Sequence, residues 1–362
     1  MNYQMIRTSE RRSFKRCPQQ WWWAWRDGLT NKEPGKALWF GSGWHIVMAD
    51  YYGLGKKRSK DYIDLWREYC NTPDADGLYQ PVDDMGEEWV DMRDLGEIML
   101  TEYVKQWGAD STWDVIATEY SGEVLIPKLD GSGKIQYNFT FDGVYRDTDT
   151  KKVMLMEHKT AAQISLGHLS LDDQGGSYWA VAPTILRSNG VLGAKENIHG
   201  IMYNFARKSK PTTKDIGPDG YARNKPLKVH YFDAFNKKGI GFEEKWGIPR
   251  LEALAAANKM EVLGDISKVQ PLPNFMRHPV RRTVKERRTQ IERIKNEAAH
   301  MEAITSGALP LFKTPTMDCS RFCGFFNMCE LHDAQGDWQE FARTVYATRD
   351  MYADHRKNAS EV

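Results

Sequence analysis

The chain has 362 residues, enough for roughly two domains and a sizeable core, which excludes a peptide-sized or disulfide-stapled scaffold. Hydrophobic residues at 41% and charged residues at 27%, with 50 Lys plus Arg against 49 Asp plus Glu, describe a soluble folded chain of net charge +1, whose bulk charge alone recruits no polyanion. No apolar run reaches the about 18 residues of a membrane span, and the opening MNYQMIRTSERRSF lacks a signal-peptide core, so a reducing cytoplasm and no membrane partner are expected.

Charge is segregated along the chain. Met1 to Arg26 carries six bases and one acid, then Trp21-Trp22-Trp23-Ala24-Trp25 places four indoles in five residues. Three consecutive Trp cannot all face one core, so part of the run is read as core and part as a surface on which bases can stack. Leu38 to Tyr52 reads as a helix. Lys60 to Tyr103 holds 13 acids against three bases, and within it Met85, Trp89, Met92, Leu95, Met99, Tyr103 and Trp107 recur at helical spacing. This acidic block is a solvated helical insertion, or a cap beside a polyanion site.

Three strand-like stretches follow, Asp114 to Pro127, Ile135 to Arg146 and Lys151 to Lys159, separated by Asp-Gly and Asp-Thr turns as in an antiparallel meander. Beyond them come a helix at Leu171 to Arg187, strands at Ile198 to Ala206 and Lys228 to Phe235 around a Pro-Gly-Lys loop at Lys208 to Pro226, and helices at Ile248 to Leu263 and Arg281 to Ile304. Three regions result: a helical N-terminal region (1–113), a mixed core (114–240) and a C-terminal helical region (241–362).

The sharpest chemical signal lies in the core. Phe141-Asp142-Gly143 ends one strand with an acid, and Glu157-His158-Lys159 ends the next, with Glu157 and Lys159 on one face and His158 on the other. Two carboxylates and a lysine supply what phosphodiester hydrolysis needs: oxygen ligands for Mg²⁺ or Mn²⁺ and a cation to orient water and offset developing charge. Gln174 and Tyr178, four apart, share a helix face after Lys159, and Gly41-Ser42-Gly43-Trp44-His45 starts the N-terminal helix.

Taken in order, His45, Asp142, Glu157-His158-Lys159 and Gln174 to Tyr178 resemble the motifs of the RecB-like branch of the PD-(D/E)xK nuclease superfamily. The resemblance implies a restriction-endonuclease-like α/β core, a central mixed sheet flanked by helices. It implies that His45, Asp142, Glu157 and the His158 carbonyl hold the metal. Lys159 would then position the attacking water, with Gln174 and Tyr178 contacting the DNA backbone or supporting the site, and Glu119 a secondary acid near the metal.

Of five cysteines, Cys319, Cys323 and Cys329 cluster as C-x3-C-x5-C, while Cys17 stands near the start and Cys70 reads as a small core residue. Three thiols plus one remote thiol suit a four-cysteine metal site clasping the two chain ends, and the 3+1 split argues against zinc knuckles. Cys17-Pro18 ahead of Trp21, with three Cys after the core, resembles the iron-sulfur group of the same branch. That group includes CRISPR-associated exonucleases and AddB-type helicase-nuclease subunits, and it implies a structural 4Fe-4S cluster.

Arg277, Arg281, Arg282, Lys285 and Arg288 offer phosphate contacts along a helix whose Val284, Ile291, Ile294, Ala298 and Met301 face inward. No GxxxxGK[ST] loop occurs, so no ATP-driven helicase is expected. The expectation is a stand-alone, phage-type, metal-dependent DNA exonuclease in recombination, repair or CRISPR adaptation, acting on DNA ends, with a recombination partner or a homo-oligomer in view. A non-catalytic DNA-binding scaffold of the same fold and a zinc-ribbon interaction protein are the alternatives.

Overall fold

Apolar and polar residues alternating through the middle third carry the chain into long strands, and 3.6-residue spacing on either side covers them with helices. The structure, a computed structural model, describes residues 4–32, 35–73, 79–210, 216, 220–224, 248–257 and 266–353. In chain order the elements are β1 (Gln4–Arg7), α1 (Thr8–Arg16), α2 (Pro18–Trp21), a π-turn at Trp22–Arg26, β2 (Leu29–Asn31), α3 (Lys36–Tyr52), α4 (Tyr62–Asn71) and α5 (Glu87–Trp107). There follow β3 (Trp113–Pro127), β4 (Lys134–Asp147), β5 (Val153–Ala161), α6 (Asp173–Ser188), β6 (Ile198–Arg207), α7 (Ile248–Ala257), β7 (Phe275–Val280) and α8 (Val284–Thr305). Last come α9 (Cys319–Phe322), α10 (Phe326–Asp333), α11 (Trp338–Val345) and β8 (Tyr346–Thr348).

Two compact units result. Ser209–Asn274 is one and contains α7; Met1–Lys208 with Phe275–Val362 is the other. The stretches 1–113, 114–208 and 275–362 therefore share one unit. The expected strand Lys228 to Phe235 lies outside the described residues, as do the last residues of the expected helix Ile248 to Leu263.

The large unit is an α/β structure built on a mixed sheet. β3 runs antiparallel along the whole of β4, from Trp113 opposite Asp147 to Pro127 opposite Lys134. β5 and β1 must then share the other edge of β4. β5 pairs antiparallel with Gly143 to Arg146, β1 pairs parallel with Ile135 to Asn138, and residues 139–142 are left between them. β6 continues the sheet parallel to β5, and β7 closes it antiparallel to β6. One face buries Ile6, Tyr137, Phe139, Leu155, Trp179 and Ile294 under α1, α6 and α8. The other buries Trp39, Trp44, Trp66, Tyr103, Tyr145 and Met154 under α3, α4 and α5. Gly96 lets the acidic α5 press onto this second core, since a Cβ there would lie 2.1 Å from the Trp66 ring. Among the described residues no helix is long and apolar enough to cross a membrane.

The two chain ends meet. β2 pairs with β8, the Gln19 N–H donates to the Phe312 carbonyl at 3.1 Å, and Trp23 packs with Phe325, Met328 and Tyr346. The tryptophan run divides as its crowding requires: Trp21 enters the main core, Trp23 this terminal cluster, and Trp22 and Trp25 are partly buried. Helix α8 departs from expectation at its start. Thr283 and Glu286 form a capping box, so the helix begins at Val284, which is 61% exposed instead of facing inward, and Phe275 to Val280 forms a strand.

Arg11 joins three helices. Its side chain is 0% exposed, pairing with Glu297 of α8 at 2.5 Å and Asp173 of α6 at 3.0 Å and donating to Ser177 Oγ at 2.7 Å. Removing it leaves two carboxylates in a poorly solvated pocket. Arg11→Ala is expected to lower the unfolding free energy by about 3 kcal/mol in urea titration, whereas Lys15→Ala, an exposed partner of Asp173, changes it by less than about 1 kcal/mol.

Candidate metal and catalytic centre

The site forms where β4 and β5 part. Gly143 opposite Met156 ends their ladder, so Asp142 and Glu157 are the next residues on the two strands, entering the gap left beside residues 139–142. Both are buried, Asp142 at 8% and Glu157 at 1% exposure. Asp142 Oδ2 accepts the His158 N–H at 2.6 Å, and Oδ1 lies 3.2 Å from Nδ1 of His45, in the middle of α3 and not at a helix start. Glu157 Oε1 accepts from Lys159 Nζ at 2.5 Å, which also donates to Gln174 Oε1 at 2.7 Å, while Gln174 Nε2 donates to Tyr178 Oη at 3.2 Å. The second Glu157 oxygen is buried with no hydrogen-bond partner among the described residues.

His45, Glu119 and Asp142 each offer a ligand atom, all within 4.8 Å of one another. Glu119 reaches this group through an unusual backbone: its φ is +42°, the left-handed region that costs a side-chain-bearing residue about 1 kcal/mol. Thr118 pairs with Gly143 and Tyr120 with Phe141, so Glu119 sits across from Asp142. Three or four acidic and imidazole donors fit a divalent cation; the carboxylates suit Mg²⁺ or Mn²⁺, and the imidazole favours the transition ion.

Electrostatics follow from this crowding. Burial and the Asp142 charge push Glu157 up to about 7, and the same two causes raise Glu119 to about 7. Burial opposes ionisation of Asp142 too, but the His45 charge and hydrogen bond outweigh it and hold the acid below its ordinary range. Burial would lower His45; Asp142, Glu157 and Glu119 overcome it and carry the imidazole to about 9. Burial opposes the Lys159 charge, yet Glu157 keeps its pKa raised. His158 is different. It stacks on Tyr52 with its Nδ1 3.0 Å from Asn204 Nδ2, and burial drives its pKa down to about 3, so what it brings to Asp142 is its backbone.

Helix α6 is held so that Gln174 faces Lys159. The Asp172 carboxylate caps the helix by accepting the Gly175 N–H at 2.8 Å and also accepts from Tyr203 Oη at 2.8 Å. Glycines follow Gln174 because a Cβ on Gly175 would lie 2.0 Å from Tyr203 Oη, and one on Gly176 2.3 Å from Arg282 Nη1. Arg282 donates to the Asp172 carbonyl at 2.5 Å, so it braces α6. A cavity of about 560 Å³ opens beside Lys159, Gln174 and Tyr178 and extends to Arg7, Arg12 and Asn138.

The expected stripe of five bases does not form. Arg277 lies on β7, pairs with Asp110 at 2.7 Å and is clasped between Trp107 and Trp113 at 4.0 and 4.1 Å, so it is a buried strut and not a phosphate contact. Arg281, Lys285 and Arg288 remain exposed. Asn204 and Asp172, which the sequence reading missed, are ordinary polar residues in one dimension and acquire roles only through long-range partners.

Cys17, Cys319, Cys323 and Cys329 line a second cavity of about 140 Å³, with Trp23 and Lys313 in its wall. No three of their sulfurs lie within 4.8 Å of one another, whereas a single tetrahedral zinc with Zn–S near 2.3 Å needs sulfurs about 3.8 Å apart. The Thr316 N–H donates to Cys319 Sγ at 3.3 Å, and Lys313 Nζ donates to the Cys329 carbonyl at 3.3 Å. Cys70 is buried in the α3–α5 core, as expected.

No protein-family model matches the chain, and no curated protein matches it. Among solved structures, the crystal structure of SSO0001 is similar over 91% of this chain and 87% of that one, with 12% identity and a TM-score of 0.32, a likeness that says nothing about the chemistry of the site.

Metal binding here competes with protons. Below pH 7, His45, Glu119 and Glu157 each hold one, and all three must be lost to donate to a cation. Calorimetric Mn²⁺ affinity is expected to rise from pH 6 to pH 9 with proton release, and Asp142→Asn is expected to weaken it by more than about tenfold.

Proposed function

We propose that the protein is a metal-dependent nuclease of the PD-(D/E)xK type that hydrolyses phosphodiester bonds at DNA ends, in recombination or repair. The observation that carries this reading is the convergence of Asp142, Glu157 and Lys159 at the fork between β4 and β5, with one Glu157 oxygen buried and unpartnered among the described residues. A structural protein has no use for two desolvated carboxylates and a half-buried lysine at the wall of a large cavity.

Asp142, Glu157, His45 and Glu119 would hold the cation. When bound, Mg²⁺ or Mn²⁺ supplies Lewis-acid polarisation of the phosphate and a water acidic enough to ionise near neutrality. The chain's own residues do the positioning. The His158 N–H fixes the Asp142 carboxylate, and Gln174, steadied by Tyr178, shares the Lys159 ammonium with Glu157. Lys159 thereby faces the cavity in one orientation, where it orients the nucleophile and offsets charge developing on the phosphate.

The four cysteines would hold a 4Fe-4S cluster. Thiol donors from both chain ends around one cavity support that choice. Its cavity shares no lining residue with the one beside Lys159, so such a cluster would stabilise the clasp of the two termini and take no part in hydrolysis.

Anaerobically purified protein is expected to degrade end-labelled DNA with Mn²⁺ or Mg²⁺, and Lys159→Ala to be slower by roughly two to three orders of magnitude. Equal rates would overturn the catalytic assignment, and DNA binding without cleavage would favour a scaffold. Cys323→Ala is expected to lose iron and melting temperature together; a colourless, equally stable variant contradicts the cluster.

A further inference from the structure

The cavity beside Lys159 has a second polar end that the hydrolytic centre does not use. Asn138, on β4, is only 2% exposed, yet its Nδ2 donor has no hydrogen-bond partner among the described residues, and the residue lines the cavity. A buried amide nitrogen left without an acceptor is destabilising unless a ligand supplies one. Its Oδ1 accepts from Gln136 Nε2 at 3.4 Å.

Two further features of the same wall want an anion. Helix α1 starts there, with Thr8 and Ser9 lining the cavity, and its N-cap Arg7 makes no side-chain cap to the first-turn N–H groups. Arg12, one turn on, is exposed on the cavity wall and has no ion pair or hydrogen bond among the described residues. Its neighbours are committed elsewhere: Arg11 and Lys15 to Asp173, and Arg7 to the Trp25 face at 4.6 Å. The acids of this cavity are likewise engaged. Asp173 is neutralised by Arg11 and Lys15, and Asp172 caps α6.

Asn138 lies four residues before Asp142 on β4, about 13 Å at roughly 3.3 Å per residue. By strand alternation Asn138, Thr140 and Asp142 share a face, and β3 presents Glu123, Ser121 and Glu119 opposite them. Resting on the nuclease reading above, we propose that Arg12, Asn138 and the start of α1 form a subsite for a backbone phosphate of a single nucleic-acid strand, about two linkages along from the one that lies at Asp142 and Glu157. The cavity has the volume of a small-molecule pocket, which admits part of one strand and not the flank of a duplex.

The test is fluorescence anisotropy with a labelled single-stranded oligothymidylate in EDTA, where no cleavage occurs. Arg12→Ala is expected to weaken binding by about five- to tenfold and to lower the salt slope by about one, and Arg12→Lys to restore most of the affinity. Asn138→Asp, which sets a carboxylate in the place of the orphan donor, is expected to weaken it further. In cleavage assays Arg12→Ala raises KM with kcat held within about twofold. Unchanged affinity and salt slope in both Arg12→Ala and Asn138→Asp would overturn the subsite, and a blunt duplex that competes better than the single strand would overturn the strand assignment. Wild-type protein that binds no oligonucleotide at all would overturn the nuclease reading itself, which separates the two failures.

Discussion

Two carboxylates held side by side out of water, Asp142 and Glu157, are the constraint around which the rest of the large unit is arranged. Their proximity raises the pKa of one and demands a counter-charge for the other. The fold answers from both sides of the sheet. His45 arrives from α3 above one core, Lys159 and Gln174 from the α6 side above the other, and the His158 amide comes from the strand itself. Such a meeting is possible because β4 is longer than its partner on that edge: β5 leaves it at Gly143, β1 joins it again at Asn138, and the residues between are paired only on their other edge, with β3.

The bracing of the fork explains much of the remaining polar architecture. Helix α6 must not shift if Gln174 is to hold Lys159, and it is fastened at its first turn by Asp172, Tyr203 and Arg282 and on its flank by Arg11 and Gln290. On the opposite side Arg277, Asp110, Tyr52 and Tyr103 make a buried network that runs through Asn204 to His158. Networks of this kind rigidify a site, since any one member removed strands the others in a medium of low dielectric; here Asn204 Oδ1 and Arg277 Nε are the atoms left without a partner among the described residues. The near-neutral total charge is therefore a poor guide: several of its bases are spent inside the protein, and the acidic segment contributes two helices whose apolar faces build the second core.

Much of this was legible in one dimension. Strand and helix periods located β3 to β6, α3, α5 and α6 to within a few residues, because each buries one face and the pattern repeats locally. The face-sharing of Glu157 and Lys159, with His158 pointing away, follows from alternation alone, as does the pairing of Gln174 with Tyr178 on one helix turn. The short β1 escaped because four residues carry too little pattern, and β7 escaped because the polar Arg277 and His278 interrupt its apolar pattern just before the helix read from Arg281. The basic stripe failed for the same reason: a helix boundary three residues later and one buried acid, Asp110, changed what each arginine faces.

By itself the sequence determined the inventory of the site and the order in which strands and helices deliver it, since local periodicity sets which residues share a face. Only the tertiary structure decided that His45 and Glu119 reach Asp142, that Arg277 is a strut, that four cysteines from opposite ends line one cavity, and that Asn138 is left with an unanswered donor. Each of those depends on which strand lies beside which and on what remains after neighbours have taken their partners, and these are properties of long-range packing that no local pattern encodes.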